Sequence, residues 1–373
     1  MPSLVVAFRR ARSLLIVTTA FLLMALPAYL GAQQAPPGQL QVLPVRGNVY
    51  MLQGAGANIT LSIGRDGVLM VDSGLQSMGD QVLATIRRLQ SQLDLRDKPV
   101  LGGAETRSTV ADRNIERPAK PIRYIINTNV QPDHVGANLL LRRSGMTFPG
   151  GNVTGNIADA TEGAAIMAHE AVLTRMTSAA GGATPAPADA QPTDTYYTDT
   201  MKLSHFFNGE GVQLIHQPAA HTDGDTLVWF RGSDVIAAGD LFSTTTYPII
   251  DVKQGGTING VVEGLNRILR LCIAEFRTEG GTLVVPGHGR LSDSADVAYY
   301  RDMVTILRDR IQAMVAKGMT LDQVKASKVT ADYEPRYGAT SGPWTTDQFI
   351  EAAYVSLGGG KAAAPRATPG RSK

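Results

Sequence analysis

The chain has 373 residues, 43% hydrophobic and 18% charged, with 35 basic and 33 acidic side chains. Those values allow one large domain with a sizeable core and exclude a disordered or collagen-like chain. The near-neutral charge offers no basic surface for nucleic acid, and the single cysteine, Cys272, excludes an internal disulfide and a thiolate metal cluster.

The first predicted element is a leader over residues 1–32. Arg9, Arg10 and Arg12 precede an apolar run from Leu14 that breaks at Pro27, and Leu30-Gly31-Ala32 fits a cleavage site. This pattern reads as a secretory signal peptide, with an uncleaved anchor as the competing reading. The run is short for a membrane span and Pro27 interrupts it, so export to the periplasm or medium is expected, with no stable span after cleavage. Arg9-Arg10 is a weak twin-arginine signal, and no cysteine follows the run to carry a lipid. Without the leader the balance is 32 basic against 33 acidic residues, so the alkaline pI owes much to the leader.

From Gln41 short strands alternate with turns, broken at Arg46-Gly47-Asn48 and at Arg65-Asp66-Gly67, a hairpin signal. Val68 to Val71 is continuously apolar, as in a strand covered on both faces. Val82, Ile86 and Leu89 recur at helical spacing. Residues 95–120 read as a long polar loop, "IRYIINT" as a strand, 155–176 as a helix and 179–195 as a low-complexity loop. Strand pairs "MKLSHFF" with "GVQLIHQ" and "DTLVWF" with "DVIAAGD" follow, then a helix from Asn259, the strand "TLVVPG" and a helix over 297–318. Two similar halves of this kind pack sheet to sheet. The expected fold is α/β (α+β), a four-layer αββα sandwich of two mixed β-sheets with outer helices. It occupies residues 33–355, C-terminal helices included, and 356–373 form a disordered tail.

Three of the six histidines end or flank predicted strands beside glycines and acids: His134 in "PDHVGAN", His221 in "AAHTDGD" and His288 in "VVPGHG". Asp240 in "AAGDLF" ends a fourth strand in the same manner. Loops at strand ends are where a rigid scaffold presents ligands. Asp133 taken alone reads as a cap of the next helix; with His288 and Asp240 in step, metal binding is the stronger reading. Asp72 in "VDSG" is expected to orient a neighbouring group rather than bind metal. His169, expected in a helix, and His205 and His216, expected in strands, stay outside the site. Tyr247 reads as a loop aromatic, Trp229 and Phe230 as sheet core, and Cys272 as an inert thiol on a helix.

The run "TNVQPDHVGAN" resembles the signature of the metallo-β-lactamase fold superfamily, Thr-His-x-His-x-Asp-His-x-Gly-Gly. "VDSG", "HTDGD", "GDLF" and "PGHG" stand in that family's order over about Gln41 to Leu291. The resemblance implies two zinc positions. One would use residues 129, 131 and 221; the other would use Asp133, His134 and His288; Asp240 would bridge them. Here Asn129 and Gln131 stand where the family has histidines. A carboxamide offers only a neutral carbonyl oxygen, a poorer zinc ligand than imidazole. The first position is therefore weakened and one zinc ion is expected.

The expected function is an exported zinc hydrolase acting on a small-molecule ester, amide, lactone or lactam bond. Asp240 or Asp133 would take the proton of the attacking water, His221 would serve as acid, base or substrate contact, and the two amides would donate to an oxyanion. The alternative is a catalytically inactive relative that binds a ligand in the same pocket; an iron redox site would need more ligands than these. The sequence carries no sign of oligomeric state or of a particular substrate.

Overall fold

The computed structural model describes residues 40–93, 120–147, 163–178, 184–273 and 280–359. The expected leader, most of the 95–120 loop and the tail beyond 359 lie outside the described residues. No described helix is long and apolar enough to cross a membrane.

Seven strands form the first sheet in chain order: β1 Gln41–Arg46, β2 Val49–Ala55, β3 Ala57–Gly64, β4 Gly67–Val71, β5 Ile122–Ile126, β6 Ala165–His169 and β7 Asp194–Tyr196. β1 to β4 are an antiparallel meander, and β4 to β7 run parallel. The second sheet holds β8 Thr200–Lys202, β9 Val212–Gln217, β10 Asp225–Phe230, β11 Val235–Ala237, β12 Leu283–Val285 and β13 Ser292–Asp293. They stand in the order β13-β12-β11-β10-β9-β8, with only β11 and β12 parallel. The helices are α1 Gly79–Gln92, α2 Pro132–Val135, α3 Asn138–Arg143, α4 Glu170–Thr177, α5 Ile258–Leu271, α6 Ser294–Ala316, α7 Leu321–Ala326, α8 Glu334–Tyr337 and α9 Thr346–Ser356.

The strands alternate between two apolar layers, as their period of two requires. Val68 and Met70 of β4 pack with Val82, Ile86 and Leu89 of α1. Leu69 and Val71 face the other way, onto Leu214, Val228 and Phe230 of the second sheet. The outer face of that sheet, with Leu227, Ile236 and Val284, is covered by α5 and α6. The four αββα layers follow. Each fully buried aliphatic side chain here contributes roughly 1.5–3 kcal/mol.

Three local expectations are corrected. The helix expected over 155–176 is, in its described part, strand β6 followed by α4; "AIMAH" is buried on both faces between β5 and β7. His169 therefore ends a strand and caps α4, its Nδ1 accepting from the Ala171 N–H at 3.3 Å. The last two residues of the low-complexity run begin an edge strand, β7, which Tyr196 just beyond the run anchors: it is buried and its hydroxyl meets Thr226 Oγ1 at 2.7 Å. "MKLSHFF" pairs with β9 only as far as Leu203, whose N–H donates to the Val212 carbonyl, after which the chain turns and exposes His205 and Phe206.

Candidate metal centre

Parallel pairing sets the site. Val71 lies opposite Ile126 in β4 and β5, and Ala237 opposite Val285 in β11 and β12. The chain leaves each pair at one level, carrying Asp72, residues 127–129, Asp240 and His288 to the same edge of the sandwich. β10, antiparallel to β11, begins there too, so His221 joins from the loop before it. Asn58 in β3 fastens the two sheets at this edge, donating from Nδ2 to the Pro286 and Gly289 carbonyls at 2.9 Å.

Asp72 is the organiser. Its backbone sits at φ 65°, a left-handed conformation few non-glycine residues adopt. Its carboxylate accepts from the Thr128 N–H, the Thr128 hydroxyl and His134 Nδ1, each at 2.8 Å. A carboxylate only accepts, so His134 carries a proton on Nδ1 and presents Nε2 to the cleft side. The turn around His134 is held from behind. Ser73 donates its N–H and hydroxyl to the His134 carbonyl, and the buried Asn127 and Asn138 amides bond to each other.

Nε2 of His134 lies 3.0 Å from Asp240 Oδ2. His288 Nε2 lies 3.3 Å from Asp133 Oδ2 and 3.3 Å from Asp240 Oδ1. One ligand atom from each of Asp133, His134 and His288 falls within 4.8 Å of the other two. His134 Nε2 and Asp240 Oδ1 are buried without a hydrogen-bond partner among the described residues. Lone pairs converging in this way need a cation between them or a proton on each ring. Burial alone would depress the imidazoles, but the Asp240 and Asp72 carboxylates raise His134 well above its ordinary pKa. His288 rises to about 9 against its own burial, through its close pairing with the Asp133 and Asp240 carboxylates. Burial would raise the Asp240 carboxyl, yet His134, His288 and His221 hold it well below the carboxylate range. The donor set, two imidazole nitrogens and one carboxylate with a second carboxylate beside it, fits a zinc ion.

Asp133 does not cap α2. The residue at the cap position is Gln131, whose side chain makes no capping bond, and the one pairing of the Asp133 carboxylate among the described residues is with His288. Asn129 is held at both ends of its amide. The Gln131 backbone N–H can only donate, and it donates to Asn129 Oδ1 at 2.8 Å. Nδ2 therefore faces Asp240 Oδ2, at 3.1 Å. One proton of the amide goes to Asp240, and the carboxamide keeps a second for another acceptor. Gln131 lines the cleft.

His221 is fully buried, with Nδ1 3.6 Å from Asp225 Oδ1 and 3.7 Å from Asp240 Oδ2. Neither of its ring nitrogens has a hydrogen-bond partner among the described residues. Burial lowers its pKa, and Asp225 and Asp240 more than reverse that. "HTDGD" is also a structural device: Asp225 accepts from the Thr222 N–H and hydroxyl and shapes the loop.

These residues border a cleft of about 890 Å³, whose far part is lined by Ile249–Lys253 and by residues of the 343–355 stretch. His169 and His216 lie elsewhere, stacked at 3.7 Å, and His205 meets Tyr124 at 6.1 Å. Tyr247 is buried and donates to the Thr330 carbonyl. Burial pushes the Cys272 thiol up to about 11. Sequence reasoning passed over Thr128, Asn58 and the Asn127–Asn138 pair. Their one signal is position, in or beside the motifs whose carbonyls and carboxylates they hold.

The family model described as the metallo-beta-lactamase superfamily matches residues 47–288. Among solved structures, a metallo-beta-lactamase from Pontibacter korlensis is 13% identical, with a TM-score of 0.47 over 72% of this chain and 99% of that one. The DIM-1 metallo-beta-lactamase is 13% identical, with a TM-score of 0.47 over 72% and 97%. VMB-1 is 15% identical, with a TM-score of 0.46 over 72% and 98%. No curated protein matches.

Proposed function

Because this chain belongs to the metallo-beta-lactamase superfamily, we propose that it is an exported zinc hydrolase of small-molecule esters, amides, lactones or lactams that works with one ion. The observation carrying this reading is the approach of Asp133, His134 and His288 within 4.8 Å, with Asp72 fixing the His134 tautomer. Those three would hold the ion, with Asp240 beside them. Zinc supplies Lewis acidity there, polarising a substrate carbonyl and lowering the pKa of water toward neutrality. Asp240, ionised and held by Asn129, is the acceptor for the proton of an attacking water. His221, with no hydrogen bond of its own among the described residues, is the group to donate to the substrate.

Purified protein dialysed against metal-free buffer should keep close to one zinc per chain; a content near zero or near two removes the proposal. Zinc-dependent turnover in an ester, lactone and β-lactam screen should be lost in Asp133→Ala and in His288→Ala. The commitment of Asn129 to Asp240 favours a second reading, a ligand-binding protein without turnover. Ligand binding that survives both substitutions, with no turnover in the native chain, would favour it. The leader pattern supports export, and N-terminal sequencing of protein from the periplasm or medium should begin near Gln33.

A further inference from the structure

The superfamily match ends at His288, yet the cleft does not. Its lining continues with Pro343, Trp344, Gln348, Glu351, Ala352 and Val355, from α9 and the turn before it. We propose that this C-terminal segment completes the substrate site and selects substrates whose scissile carbonyl carries an extended hydrocarbon chain, with Trp344 as its anchor. The inference rests on the hydrolase reading for the word substrate, but the wall itself does not.

The segment is fixed to the body of the domain. Thr345 and Gln348 form a capping box at the start of α9. Phe349 is fully buried and its ring stacks on Tyr247 at 4.8 Å and 11°. Tyr247 lies seven residues after Asp240, so the stack ties the metal loop to α9. Tyr354 closes the other end by donating to the Met319 carbonyl at 2.9 Å. α9 also packs on the turn Val252–Gln254, so the two pieces make one continuous surface.

That surface carries apolar residues beside the polar Asp251, Lys253, Gln348 and Glu351. Ile249, Val252, Trp344, Ala352 and Val355 line it, and Val355 is 45% exposed. Trp344 packs on the core cluster while lining the cleft. Of the polar neighbours, Glu351 is taken up by Lys325 at 3.4 Å, Gln348 by the capping box and Asp251 by the Gln254 N–H, while Lys253 is exposed. Small-molecule sites span roughly 300–1,000 Å³, so a cleft of about 890 Å³ is near the upper end. An acetyl group would leave most of it wet and the isoleucine and valine surface uncovered. A chain of about eight carbons would cover that surface, with the gain expected of apolar burial.

The test has two arms. In the zinc-loaded enzyme, kcat/KM for p-nitrophenyl octanoate divided by that for the acetate should fall at least ten-fold in Trp344→Ala and recover in part in Trp344→Phe. The second arm needs no turnover. The chain has two tryptophans, so in Trp229→Phe the indole emission reports Trp344 alone. Octanoate should shift that emission to shorter wavelength and saturate at a concentration at least ten-fold below acetate. Turnover of both esters with an unchanged ratio, and no emission response, would overturn this inference and leave the hydrolase standing. An emission response with no turnover of any ester would sink the hydrolase and keep the apolar site. Equal response to octanoate and acetate would overturn the apolar preference whatever the turnover.

Discussion

Asp72 spends a strained backbone to place one carboxylate. A non-glycine residue in that region costs of order 1–3 kcal/mol and persists only where its surroundings hold it; here Thr128 and His134 do so. Asp72→Asn replaces an acceptor that fixes the His134 proton with an amide that competes for it. Zinc affinity should fall about 10–100-fold, measured by competition with a chromogenic chelator; unchanged affinity would mean that His134 needs no such partner. At Asn129 the residue identity was legible as a lost ligand, but its consequence was not. Only the fold brings the Gln131 N–H and Asp240 to its two ends. Asn129→His with Gln131→His should raise bound zinc by about one ion, counted by elemental analysis. No gain would mean that these loops lack the spacing a first metal position needs. The same residues show the limit of reading a site from sequence. Asp133, His134, His221, Asp240 and His288 stood out because acids and imidazoles next to glycines at strand ends form a visible pattern. Thr128 and Asn58 are common residues whose role is a hydrogen bond to something distant.

At the scale of elements, period-two alternation located β2 and β3, a continuous apolar run after a turn signal located β4, and the helical spacing of Val82, Ile86 and Leu89 located α1. The method failed where burial is two-sided and short. "AIMAH" opens with four apolar residues in a row, and so short a run carries no period that separates strand from helix. β7 was hidden at the end of a low-complexity run because an edge strand of three residues is made by its neighbour. Strand-end loops also carry a steric demand the motifs only hint at. A Cβ at Gly287 would lie 2.5 Å from Asp240 Oδ1 and 2.8 Å from the Gly239 backbone. Gly287→Ala should therefore displace Asp240 or the loop, costing roughly 1–3 kcal/mol and lowering zinc content. A denaturant midpoint and a metal content both equal to those of the native chain would refute the close packing.

At the scale of the whole molecule, two sheets meet over one apolar layer, and their common edge gathers the imidazoles of His134, His221 and His288 against the carboxylates of Asp72, Asp133, Asp225 and Asp240. This sets a pH dependence for the metal-free domain. The folded pKa of His288, about 9, lies above its ordinary 6.5, so its pairing stabilises fully below 6.5 and is lost as pH rises through 9. His134 and His221 shift in the same direction. With chelator present, Tm should fall between pH 6.5 and 9.5, and zinc should reduce the fall because bound imidazoles need no proton. A flat metal-free Tm over that range would contradict the paired cluster. By itself the sequence determined the two-sheet plan, the order of the motifs and the chemical kinds of group at the site, because these are written in local periodicity and in residues with distinctive chemistry. Only the tertiary structure decided that Asn129 serves Asp240, that Asp72 sets the His134 proton and that α9 walls the cleft. Each depends on atoms far apart in the chain that meet only after both sheets have packed, and no local pattern encodes such a meeting.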